Sequence, residues 1–138
     1  MRLQAAFHVS APPDRVFAYL AIPSNLAFQS HEVPTSEASA GPTAVGSWAT
    51  LALHQLRSRV EYTAHDPSRH IRARATFSGR GSFGRETQLD FHLEPGPGGG
   101  TTVRVDMESN AGWLGRVIAP VLWPFDRRRM SRLIEAGA

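Results

Sequence analysis

From Gly46 to Ser109 the chain alternates apolar and polar residues with a period of two, and this most constrains what it can fold into. In 70–77 the residues Ile71, Ala73, Ala75 and Phe77 oppose His70, Arg72, Arg74 and Thr76. The same alternation sets Leu89, Phe91 and Leu93 against Gln88, Asp90, His92 and Glu94, and Val103, Val105 and Met107 against Arg104, Asp106 and Glu108. Ala49, Leu51, Leu53 and Gln55 share one side of an earlier segment. Val60, Tyr62 and Ala64 share a side of the next, opposite Arg59, Glu61 and Thr63. Residues two apart in a strand lie on one face, so each segment predicts a strand with one dry and one wet side. Turn residues separate them: Asp-Pro-Ser at 66–68, a glycine loop at 78–86, and Pro-Gly-Pro-Gly-Gly-Gly at 95–100. The pattern is that of an antiparallel meander.

A sheet with one dry face needs a cover. The C-terminal segment supplies a helical stripe of Leu114, Val117, Ile118, Val121, Leu122 and Phe125, continued by Met130, Leu133 and Ile134. Pro120 and Pro124 fall inside it, and each predicts a kink or a break. Before the meander, 3–10 alternate weakly as a strand, and Pro12, Pro13 and Asp14 open a helix carrying Val16, Phe17 and Leu20. A second short helix is expected after Pro23, capped by Ser24. Residues 31–46, with two prolines and two glycines, read as at best an irregular edge strand. The expected class is α+β, in the order strand, two helices, about six strands and a long helix, as one domain over residues 1–138.

Composition narrows the chemistry. The chain has no cysteine, which excludes disulfides, thiolate catalysis and Cys-based metal sites. All fifteen basic residues are arginine, and the net charge is only +3. Arg127, Arg128, Arg129 and Arg132 form the sole dense basic run and read as a solvated helix end, so no nucleic-acid partner is expected. The N-terminal stretch reads as a strand without a signal peptide's apolar core, and no apolar run approaches the ~18 residues of a spanning helix. A cytoplasmic protein without stable membrane insertion is the expectation, and a homodimer is compatible with the sequence.

The dry face mixes large residues with Ala49, Ala64, Ala73 and Ala75, and its polar-tipped members are Tyr62 and Gln55. Those alanines leave room either for an apolar cavity or for bulky helix residues such as Trp113 and Trp123 to fill. Gly79, Gly81 and Gly84 match the spacing of a dinucleotide-binding loop, and Asp106 falls about 20 residues on. That fingerprint needs a helix to open directly after the loop, whereas 86–94 alternates as a strand. The loop reads instead as a tight connection, with Phe83 a candidate lip over a cavity mouth. His8, His65, His70 and His92 read as surface residues, and 31–35 is not a His-Glu-x-x-His motif. Neither a metal site nor a cofactor is expected. Tyr62 and His54 are the weak candidates for proton transfer, with a satisfied core residue the competing reading of Tyr62.

An ordered set of segments carries a family resemblance. It comprises APPDRVFAYLAIPSNLAFQ, VGSWATLAL, VEYTAHDPSRHIRARA, GGGTTVRVDME and LGRVIAPVLWPFDRRRMSRLI. With these the chain resembles the SRPBCC (START-like, helix-grip) superfamily, in the branch of polyketide cyclase/dehydrase and lipid transport proteins. The resemblance implies a seven-stranded sheet curved around the C-terminal helix, with a pocket between them for a small hydrophobic molecule such as a lipid, polyketide or isoprenoid. An aromatase/cyclase-type enzyme using the same pocket is the alternative. By position, the implied pocket residues are Phe28, Leu53, Tyr62, Phe77, Phe91, Met107, Val117 and Val121.

Overall fold

The computed structural model describes residues 2–29, 32–53, 55–79, 86–110 and 113–138; for Leu53, residues 113–123 and Phe125 it describes the backbone alone. His54, Arg80, Gly81, Phe83 and Gly84 lie outside the described residues.

The alternating segments become strands: β1 (Arg2–Val9), β2 (Thr35–Ala38), β3 (Trp48–Leu53), β4 (Leu56–Asp66), β5 (His70–Gly79), β6 (Glu86–Pro95) and β7 (Thr101–Ser109). They form one antiparallel sheet in the order β1-β7-β6-β5-β4-β3-β2. Only β1 departs from a simple meander, because it pairs with the last strand and places the helical connection across the dry face. That connection holds α1 (Pro13–Leu20) and a 3-10 turn (Pro23–Ala27). Pro13 opens α1 at a position where no N–H partner is needed, and Val16, Phe17 and Leu20 point into the core. The second turn starts at Pro23 itself, and no side chain caps it, so the expected Ser24 cap is not made.

The long helix α2 (Trp113–Gly137) runs through both Pro120 and Pro124. The expected break does not occur. A proline removes only its own N–H bond and fixes a φ compatible with a helix, and the remaining ladder of this long element carries the two gaps. Met130 and Ile134 bury against the sheet and α1, joining Val9, Leu20, Val60, Tyr62, Ile71, Phe91 and Val105 in one core. Ser10 ties the end of β1 to this helix, its backbone N–H donating to Glu135 Oε2 at 2.8 Å and its hydroxyl to Glu135 Oε1.

One irregularity changes which residues face inward. Tyr62 pairs with Ala73, but the next pair is Ala64 with Arg72, then His65 with Ile71. Thr63 is therefore an extra residue, a bulge that reverses the phase of the end of β4. His65, expected on the surface, turns toward Phe17 and meets its ring edge-on at 4.8 Å. Gln55, expected on the dry face, lies exposed in the β3–β4 turn.

Candidate functional site

The small residues of the dry face do leave space. Ala73 and Ala75 lie on adjacent inward positions of β5, and a cavity of about 350 Å³ opens above them. This is within the roughly 300–1,000 Å³ common for small-molecule sites. Its sheet side is made by Leu51, Val60, Phe77, Leu89 and Met107. Its opposite side is made by Leu26, Ala27 and Phe28 at the 3-10 turn and by Met130 of α2. Phe28 ends that turn in the left-handed region, with φ 49° and ψ 46°, a conformation costly for an aromatic residue. The strained backbone holds its ring over the cavity and against Phe91, at 6.1 Å between centroids.

Few polar groups reach this space. Ser58 is 2% exposed and lines the wall. Thr87 lines it too, with its hydroxyl 3.4 Å from that of Ser109. Gln29, Asp126 and Arg129 stand where the cavity meets solvent, and both helix residues are exposed. The described lining makes a mostly apolar container with Ser58 and Thr87 in its wall and polar groups at its mouth.

The residues implied by position separate into groups. Phe28, Phe77 and Met107 meet at the cavity. Tyr62 and Phe91 are fully buried but lie in the core rather than on its wall. The Tyr62 hydroxyl donates to the Leu20 carbonyl at 2.7 Å, and burial pushes its pKa well above the usual phenol value. It holds the end of α1 to the sheet instead of facing a ligand. Leu53, Val117 and Val121 are described by backbone alone, and His54 and Phe83 lie outside the described residues. Sequence reasoning missed Ser58, although it shares its phase with Val60 and Tyr62. It also missed Asp126, and Arg129, which it placed in a solvated helix end.

The glycine loop joins two antiparallel neighbours, since β5 pairs with β6 and Glu86 begins a strand. No helix N-terminus follows it to meet a pyrophosphate. Gly79 has φ +114°, and a Cβ there would lie 2.6 Å from the Gln55 carbonyl oxygen, so the position requires glycine.

A model of the family described as polyketide cyclase/dehydrase and lipid transport matches residues 1–138. Among solved structures, DynU16, from the dynemicin biosynthetic locus, is similar with a TM-score of 0.67 and 20% identity over 99% of this chain. The chain spans about half of DynU16, 48% of its length. MLL2253 from Mesorhizobium loti aligns over 100% of this chain and 99% of its own, with TM-score 0.71 and 16% identity. Ara h 8.0201 aligns over 99% of this chain and 95% of its own, with TM-score 0.66 and 13% identity. At such identities these likenesses speak for the fold alone. No curated protein matches the chain. Its full-length match and its curved seven-stranded sheet with a closing C-terminal helix place the chain in the polyketide cyclase/dehydrase and lipid transport family, with the helix-grip fold of SRPBCC proteins.

Proposed function

We propose that this protein binds a small, mostly apolar molecule of the lipid, polyketide or isoprenoid type in the cavity between its sheet and α2. The observation that carries this reading is the alanine-floored, mostly apolar space of about 350 Å³ with the buried Ser58 in its wall. A packed core would place larger side chains at Ala73 and Ala75. A ligand with an apolar body fills the space, and one oxygen or nitrogen along it pairs with Ser58. A polar end then lies at the mouth, near Gln29 and Arg129.

The family's cyclase chemistry supplies a second reading for the same cavity, supported by the likeness to a protein of the dynemicin locus. Proton transfer by Tyr62 does not fit it, because that hydroxyl is committed to Leu20. His54 remains its candidate, and an unchanged product profile for His54→Ala in a polyketone-cyclisation assay removes it. Binding itself is tested by titrating the protein with the fluorophore ANS and displacing it with a long-chain fatty acid or an aromatic polyketide. Saturable one-to-one binding with displacement supports the proposal, and the absence of any saturable binding overturns it.

A further inference from the structure

The sheet's outer face, away from the cavity, carries a second constellation. His70 of β5 stands directly opposite His92 of β6, and Arg72 stands opposite Asp90. All four side chains project to the wet side. The two imidazoles stack face to face, 4.3 Å apart between centroids and 6° from parallel. Both turn Nε2 toward the same carboxylate oxygen: His70 Nε2 is in contact with Asp90 Oδ1, and His92 Nε2 stands 3.5 Å from it. One ligand atom from each of the three residues fits within a span of 4.8 Å.

Arg72 completes the arrangement without competing for that oxygen. Its Nε and Nη2 lie 3.2 and 3.1 Å from Oδ2, the other oxygen of Asp90. The carboxylate is thus held by a guanidinium on one side while its second oxygen is shared by two imidazoles. Two imidazole nitrogens and a carboxylate oxygen gathered within 4.8 Å make a ligand set for a single metal ion, and a fixed partner on the ligating carboxylate is the usual support of such a centre.

We infer that His70, Asp90 and His92 bind a divalent transition-metal ion, zinc(II) foremost, with Arg72 as the positioning residue. Two imidazole nitrogens and one carboxylate oxygen suit zinc, copper or nickel rather than calcium or magnesium, which prefer all-oxygen shells. Tetrahedral zinc with bonds of about 2.0–2.1 Å needs ligand atoms about 3.3 Å apart. To seat the ion, the direct His70–Asp90 contact opens to that spacing and the half-exposed His92 ring closes in from its present 3.5 Å to Asp90 Oδ1 and the 4.8 Å span of the three ligand atoms. The remaining coordination position faces solvent. The ion would cross-link β5 and β6, the strands that carry Ala73, Ala75 and Leu89 on their opposite side. This inference stands apart from the cavity reading, and each can fail without the other.

The test is isothermal titration of the tag-free full chain with zinc chloride at pH 7.5. It is paired with NMR of the histidine ring nitrogens and with thermal melts. One ion per chain is expected, with His70 and His92 the rings whose Nε2 resonances shift. Zinc should raise Tm for the parent protein but not for the His70→Ala/His92→Ala double variant. That variant should keep its zinc-free Tm and its ANS binding. Single His92→Ala and Arg72→Gln changes should weaken zinc at least about tenfold. Absence of saturable zinc binding overturns the inference. So does binding that survives the double substitution, since the ion then sits elsewhere on the chain.

Discussion

Tyr62 is the residue at which sequence and structure part most usefully. Its position on the dry face made it a candidate proton donor, yet its hydroxyl is spent on the Leu20 carbonyl. Tyr62→Phe should therefore leave ligand affinity unchanged while lowering stability by about 1 kcal/mol, read by chemical denaturation. A loss of binding with unchanged stability would return Tyr62 to the site. Burial raises the pKa of both tyrosines, Tyr62 far more than Tyr19. Their neutral forms are favoured in the folded state, so this contribution is complete below pH 10 and is lost as pH rises beyond it. The chain has neither lysine nor cysteine, so few other groups titrate in that range. Stability should fall above about pH 10 by up to about 1.4 kcal/mol per unit from Tyr62, and Tyr62→Phe should flatten that slope. Gly79→Ala meets both a φ of +114° and the Gln55 carbonyl, and should cost about 1–3 kcal/mol without touching the cavity wall.

Among the elements, the strands were legible because alternation needs no knowledge of partners. Ile71 to Phe77, Leu89 to Leu93 and Val103 to Met107 show which face is buried by composition alone. The end of β4 was not legible. A bulge at Thr63 shifts the register by one residue, and nothing in the local pattern distinguishes that from a continuous strand. His65 thereby moves from surface to core edge, beside Phe17. The prolines of α2 misled in the other direction, since a lost hydrogen bond is read locally while a helix persists through its packing. Its last turns are fastened by the Ser10–Glu135 contact. Glu135→Ala should cost about 1 kcal/mol and speed amide exchange near Ile134, measured by hydrogen–deuterium exchange. Unchanged exchange there would show that the contact does not fasten the helix.

For the whole molecule, the fold followed from residue order, while the contents of the site depended on three-dimensional detail. Alanines at 73 and 75 signalled available volume, but whether helix side chains filled it was not written in the periodicity. Among the described residues that volume is lined by Leu26 and Phe28 from a turn whose geometry rests on one left-handed residue, while the side chains of Trp113 and Trp123 lie outside the described ones. Arg129 and Asp126 reach the mouth because the helix crosses the sheet there, a relation no single segment encodes. The most direct measurement is ANS affinity in Ala75→Phe, which sets a ring on the cavity floor. If the cavity is the binding site, the parent protein binds saturably, and the variant folds but binds at least about tenfold more weakly, a loss of about 1.4 kcal/mol. Equal affinity in a folded variant, verified by its Tm and circular dichroism, would contradict binding between the sheet and α2.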